Sequence, residues 1–462
     1  MNFVFLVKFS LINLLLLLGI LNPQSFLDVF LSYFLLGVLQ TYFLRYQFKV
    51  AEGIGLETKK ISYFIFVLSI VFSLLSIFNW KSVFINVAAL SLILGIALSN
   101  LFFSQISKRS VILVFSIILI FTFTSRVNSG DLRRSISFEP VAETYFTDYF
   151  SFLKVFSLVE RGYGYYSAHV KAHLEDARFD YVPQQVWGWR LPTYAYLWRI
   201  FPGSGGVSVY IFFIVLSSTA LFFSYRIAKI FIGKKLAILS PYLVYPYFHF
   251  AARDVAFFEM EWWSICILII GIYYFIRKKI FIAFLFFTVT VLIREIFIIP
   301  LISVAVASLL YRQIKQFISF IFVGIIFIAF LSLHFIKVTE YIPRTFQSLA
   351  PRDHPIGLIF LQQTLSYSSW EYLFFNLRPF LFLLLINLIS TTILFIRKML
   401  NFELTILFFS AFSLMIAISK IGTPLYDDYW GVSYVPLILI FSPIFILTIF
   451  KNMDHKYSKI NK

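Results

Sequence analysis

Four charged residues stand inside otherwise apolar sequence: Glu259, Glu261, Arg294 and Glu295. A charge near a membrane core is costly, so such residues are functional suspects unless they snorkel from a helix end. The planar fork of Arg294 suits the oxygens of a phosphate. Its bland alternative is an Arg–Glu pair that closes a helix bundle. Glu259 and Glu261 are two apart, so on one helix they point roughly 200° apart and only one can face a pocket. Glu261 is favoured, because Asp254 lies seven residues earlier on the same helical face. Asp148 and Asp131 are acidic candidates in polar sequence. Asp148 equally suits the cap of a helix. His169 and His173 have a spacing that can hold zinc on one helix face, but no protease-type glutamate lies between them, so no metal is assigned.

Composition sets where these groups sit. The chain has 462 residues, of which 60% are hydrophobic, 21% aromatic and 13% charged. Soluble domains carry about 25% charged residues. Half that level cannot cover a globule in water, which excludes a soluble enzyme, a disordered chain and a disulfide scaffold. The single cysteine, Cys266, leaves no intrachain disulfide. The sequence predicts an all-α polytopic membrane protein of about fourteen spans. They are 3–21, 27–44, 62–79, 83–103, 110–125, 207–225, 236–251, 256–276, 280–293, 296–311, 317–336, 380–396, 402–419 and 432–450. The first resembles a signal peptide in its Lys8, but no small-residue cleavage site follows, so it reads as a retained helix.

The net charge of +17 is a matter of topology rather than nucleic acid. Basic residues gather in the short connections at 45–60, 108–109, 226–235, 277–279, 312–315 and 397–398, and in the C-terminal tail. The short connections on the opposite side carry Lys81, Arg253, Arg294 and Lys420. Basic loops face the cytoplasm, which places both termini inside. Two long polar segments, 126–206 and 337–379, then fall outside, and loops of that length are usually functional.

The first outer segment has internal structure. Phe152, Val155, Phe156 and Val159 recur at helical spacing, Asp148 stands at the start and Gly162 at the end. This predicts an amphipathic helix on the outer membrane surface. Further on, Trp189-Arg190-Leu191-Pro192-Thr193-Tyr194 opens an aromatic stretch. It is either an interfacial belt or a stacking surface for lipid or sugar.

In this order, the pieces resemble the polytopic glycosyltransferases of the GT-C class, close to the protein mannosyltransferase and aminoarabinose transferase superfamily. The features are a large outer loop with Asp148, a helix and Gly162-Tyr163-Gly164-Tyr165; Leu191-Pro192-Thr193-Tyr194 before a span; Glu261 or Glu259 opening a later span; and Arg294-Glu295 followed by Pro300. The match covers roughly 110–336. The resemblance implies inverting transfer of a sugar from a polyprenyl-phosphate donor to a glycan, lipid or protein acceptor on the extracytoplasmic face. Asp148, with Asp131 as second candidate, would be the base. Arg294, Arg344, Arg352 and Arg378 would meet the donor phosphate. Glu261, Glu259, Glu295, Tyr165, Trp189 and Tyr194 would contact substrate. No cofactor is implied, although oligosaccharyl members of the class use a divalent ion.

The implied organisation is an accessory module at 1–109, a core at 110–336, a second outer loop at 337–379 and C-terminal helices at 380–462. Two departures stand out. Four spans precede the family's usual first helix. The segment Tyr426-Asp427-Asp428-Tyr429-Trp430 lacks the arginine of the corresponding family pattern. The competing readings are an O-antigen polymerase or ligase, which would use basic residues in both loops, and a lipid-linked oligosaccharide flippase or transporter, which would carry charge along a central cavity.

Overall fold

The computed structural model describes residues 148–174, 188–253, 256–342, 361, 364, 378–421 and 428–460. The five expected spans before residue 126, most of the second outer loop, Asp131, Asp254, Arg344, Arg352 and Asp427 lie outside the described residues. Among those described there are helices and no strand.

Three helices come from the polar 126–206 segment: α1 (Asp148–Glu160), α2 (Tyr165–Leu174) and α3 (Thr193–Trp198). Then follow α4 (Gly205–Leu236), α5 (Leu239–Arg253), α6 (Met260–Ile276), α7 (Ile280–Ile293), α8 (Ile298–Leu310) and α9 (Ile314–Thr339). The last three are α10 (Arg378–Ile396), α11 (Phe402–Ile421) and α12 (Val435–Ile460). Short 3-10 turns occupy Ala256–Phe258, Glu295–Phe297 and Asp428–Ser433.

Among the described residues, two helices are long and apolar enough to cross a membrane: Gly205–Lys234 with 30 residues and Ile314–Thr339 with 26. The apolar helix Ile280–Ile293 has 14 residues, about 21 Å at 1.5 Å per residue, less than the roughly 30 Å of a hydrocarbon core. Its bounds coincide with the expected span, because Lys279 and Arg294 interrupt the apolar run on both sides. The helix expected at 207–225 runs on to Leu236, with a break at Gly233. Hydropathy falls at Arg226 and Lys229, but both residues are good helix formers and the backbone continues. The run expected at 256–276 is also not one helix. A 3-10 turn precedes α6, which begins at Met260.

α6 is the hub. It is apolar nearly all round and buried along its length, as a central helix must be. It packs on α4, α7 and the Asp428–Ser433 turn. α9 is the opposite case. Gln316, Phe320, Val323, Phe327, His334 and Val338 make a narrow buried stripe, while Ile318, Ile321, Phe322, Ile325, Ile328, Leu333 and Ile336 are exposed. A wide exposed apolar face on a helix of this length is what lipid contact requires.

The two ends of the bundle differ in chemistry. The α6–α7, α8–α9 and α10–α11 connections share one turn geometry. Lys279 N–H bonds to Tyr274 O, Gln313 to Ser308 O and Met399 to Leu394 O, each a six-to-one closure of a helix end. The residue usually supplied by glycine is basic in all three: Lys278 (φ 58°), Arg312 (φ 55°) and Lys398 (φ 55°). The left-handed conformation costs an L-residue about 1–2 kcal/mol, and a cation at a helix C-terminus recovers part of it. Tyr311 Oη donates to Leu400 O at 3.0 Å, and Phe275 lies 6.1 Å from Phe402, so the three turns share one end. The charged residues of the candidate site lie at the other.

Candidate functional site

At that other end the chain leaves helical geometry twice, and both departures turn charge inward. Arg294 follows α7 in an extended conformation (φ −140°, ψ 110°) before the Glu295–Phe297 turn. Glu259 is extended (φ −74°, ψ 137°) just before α6. Because Glu259 is not in the helix, the expected 200° separation from Glu261 does not apply. Both carboxylates are buried. Glu259 accepts a hydrogen bond from Trp262 Nε1 at 3.1 Å. Glu261 sits in the first turn of α6, where a helix N-terminus favours negative charge.

Arg294 joins the group. Its Nε donates to Glu261 Oε1 at 2.5 Å, and its Nη1 pairs with Glu295 Oε1. Its side chain is 2% exposed, and its Cζ lies 5.4 Å from the Trp430 ring centroid. Trp430 arrives on the Asp428–Ser433 turn, which packs on α6. The structure therefore brings together Glu261, Arg294 and Glu295, while Glu259 is held separately by Trp262. A guanidinium paired with two carboxylates attracts an incoming phosphate less than a bare one would. The more open role for Arg294 is to hold the two carboxylates in place.

Helices α1–α3 cover this end. α1 closes at Gly162 (φ 94°), whose N–H bonds to Val159 O, while Tyr163 N–H reaches Leu158 O. Leu153 and Leu158 are buried along with Phe152, Val155, Phe156 and Val159. α1 is thus wedged against α2, α3, α4 and the Ala256–Phe258 turn rather than lying one-sided on a membrane surface, because its polar face is too narrow. Trp198 meets Trp263 of α6 at 5.7 Å and Phe258 at 5.8 Å.

The proposed aromatic surface is internal. Tyr165, Trp189 and Tyr194 are all buried. Tyr194 packs edge-on against Phe152, Tyr165 and Trp198 at 5.0–5.9 Å. Burial pushes the phenols of Tyr165 and Tyr194 well above their ordinary range, and that of Tyr166 to about 12, through burial first and then the neighbouring Tyr196 and Glu340. None of the three is a base at neutral pH. They present no open stacking face; they fasten α1–α3 to the bundle.

His334 makes a second fastening. It is buried near the end of α9, with Nδ1 3.1 Å from Tyr166 Oη and Nε2 3.2 Å from Trp189 O. With Nε2–H donating to the carbonyl, Nδ1 accepts from the tyrosine. His169 stacks on Trp189 at 4.4 Å and lies 4.2 Å from His173, whose Nδ1 is 2.8 Å from His169 O. Burial pulls the His169 imidazole well below its usual range, with His173, Arg190 and His334 adding in the same direction. Among the described residues, no three His, Cys, Asp or Glu side chains gather to hold a metal.

Asp148 is the first residue of α1 and Arg378 the first of α10. Their side chains, like Asp131, Arg344 and Arg352, are outside what the structure describes. Sequence reasoning passed over Trp430, although it stands in the set-aside Tyr426–Trp430 segment. It also passed over His334, whose signal was a lone histidine in an apolar span.

No family model, no curated protein and no solved structure matches this chain.

Proposed function

We propose that the protein is a polytopic membrane glycosyltransferase of GT-C type, taking sugar from a polyprenyl-phosphate donor at the extracytoplasmic end of the bundle. One observation carries this reading. The end bearing Glu259, Glu261, Arg294 and Glu295 is the end covered by the outer-segment helices α1–α3. A buried ionic cluster beneath a structured outer loop suits chemistry at a membrane surface, whereas a transport path would distribute polar groups along the helices. The opposite end, with its basic turns, is then cytoplasmic. About fourteen spans, with both termini inside, follow from the same reading.

In the proposed reaction the acceptor hydroxyl oxygen attacks the anomeric carbon. Its proton passes to the Asp148 carboxylate. The bond from the anomeric carbon to the phosphate oxygen breaks, and the electron pair leaves with polyprenyl phosphate. The attack inverts the anomeric centre. Arg344, Arg352 and Arg378 meet the leaving phosphate, and Arg294 acts by fixing Glu261 and Glu295. The test is Asp148→Asn in the full chain, assayed for sugar transfer from a panel of polyprenyl-phosphate sugars. The expected result is loss of transfer with normal expression. Wild-type turnover would remove Asp148 as the base.

A further inference from the structure

The polar atoms around Arg294 do not all find partners. Glu295 gives Oε1 to the guanidinium, but its Oε2 is buried and accepts no hydrogen bond. Trp430 lies against the same guanidinium, and its Nε1 is buried and donates none. Buried polar groups without partners are rare, because each has given up water for nothing. The two orphans are complementary. A carboxylate oxygen only accepts, and an indole N–H only donates. A ligand that satisfies both must donate at one point and accept at another, which is what a ring bearing several hydroxyls does.

Other ligand classes fit less well. An anion would meet the carboxylates of Glu261 and Glu295. A cation would compete with Arg294 and gain nothing from the indole N–H. The site also has an outlet, since the Glu295 side chain is 19% exposed and Trp430 is half-buried. The two residues come from different elements, the turn after α7 and the turn before α12, so a ligand bridging them would also tie those elements together.

We propose that Glu295 Oε2 and Trp430 Nε1 form a hydroxyl-binding subsite for the sugar of the donor. Glu295 accepts from one sugar hydroxyl, and Trp430 donates to a neighbouring sugar oxygen. The inference rests on the glycosyltransferase reading only for the lipid-linked character of the sugar. Arg294 is then a positioning residue that aims Oε2.

The experiment uses the full chain in lipid nanodiscs. Binding is measured for polyprenyl phosphate alone and for polyprenyl phosphate carrying glucose, mannose, galactose or arabinose. The expected result is that wild type prefers one sugar-bearing lipid over the bare lipid phosphate by tenfold or more. Glu295→Gln should lose most of that preference. Trp430→Phe, which keeps the ring over Arg294 and removes only the N–H, should lose about threefold to tenfold. Neither variant should change affinity for the bare lipid phosphate. Trp430→Phe should also melt no lower than wild type, since it removes a donor that bonds to nothing in the free protein. Equal wild-type affinity for the bare lipid and every sugar-bearing one overturns the subsite and leaves the lipid-phosphate reading standing. So does a variant that weakens all the lipids alike, or a lowered melting point for Trp430→Phe. Failure of wild type to bind any of these lipids removes the reading and the subsite together.

Discussion

Replacing Arg294 by methionine keeps an unbranched chain of similar reach and removes the charge. The change strands two carboxylates, and their exposure sets the size of the effect. The Glu261 side chain is 3% exposed and Glu295 19%. Removing one partner from a buried ion pair costs about 3–5 kcal/mol, because the remaining charge has lost both its partner and water. Most of that falls on Glu261, since Glu295 can turn towards solvent. Loss of the guanidinium over Trp430 adds about 0.5–1 kcal/mol. The assay is denaturant or SDS unfolding of the purified full chain in mild detergent at pH 7, with Arg294→Met beside wild type. Arg294→Met/Glu261→Gln should recover a large part of the loss, since the double variant leaves no buried unpaired charge at Glu261. The exposed pair Lys337–Glu340, with side chains 55% and 51% exposed, is the control, and Lys337→Met should leave the midpoint unchanged. Wild-type stability in Arg294→Met, or a double variant no better than the single, would refute the claim that this pairing holds the end of the bundle together.

His169 supplies a pH prediction. Its imidazole is depressed in the folded protein, so the unfolded chain binds the proton more readily, and stability falls as pH drops below about 6.5. Thermal melting between pH 7.5 and 5 should show this loss, and His169→Phe should reduce its slope; an unchanged slope would exclude the histidine as its source. At Gly271 an added Cβ would meet the Phe287 ring at 2.7 Å, so Gly271→Ala should destabilise by about 1–3 kcal/mol. Gly324→Ala on α9, with nothing within 4 Å, should be neutral or gain up to about 1 kcal/mol. Equal effects in unfolding titrations would contradict the close α6–α7 packing. Gly162→Ala should cost about 1 kcal/mol through its positive φ alone and raise proteolytic nicking between α1 and α2; unchanged nicking would place the strain elsewhere.

Much of the helical layout was legible because apolar runs here are bounded by charge. Lys279 and Arg294 mark the ends of α7, and Gly162 together with the Phe152–Val159 spacing marks α1. The length of α4 was not legible, since hydropathy stops at Arg226 while helix propensity does not. The burial of α1 on nearly all sides was also missed, because spacing identifies a helix and one apolar face but not what covers the other. At the site, the residue types were legible and their pairing was not. Glu261 and Arg294 are 33 residues apart. Only the extended backbone at Glu259 and Arg294 lets both acids and the base turn inward together, and no sequence period encodes that. Trp430 was hidden for the same reason: its contact with Arg294 depends on where the turn before α12 lands against α6.

The central claim is best tested by turnover. Full-length protein in proteoliposomes would be given radiolabelled polyprenyl-phosphate sugars, and release of polyprenyl phosphate followed with time. The account predicts that one donor is consumed, with an inverted product, and that Asp148→Asn stops the release. Wild-type protein that consumes none of the donors, while moving the intact sugar-lipid across the bilayer, would contradict it.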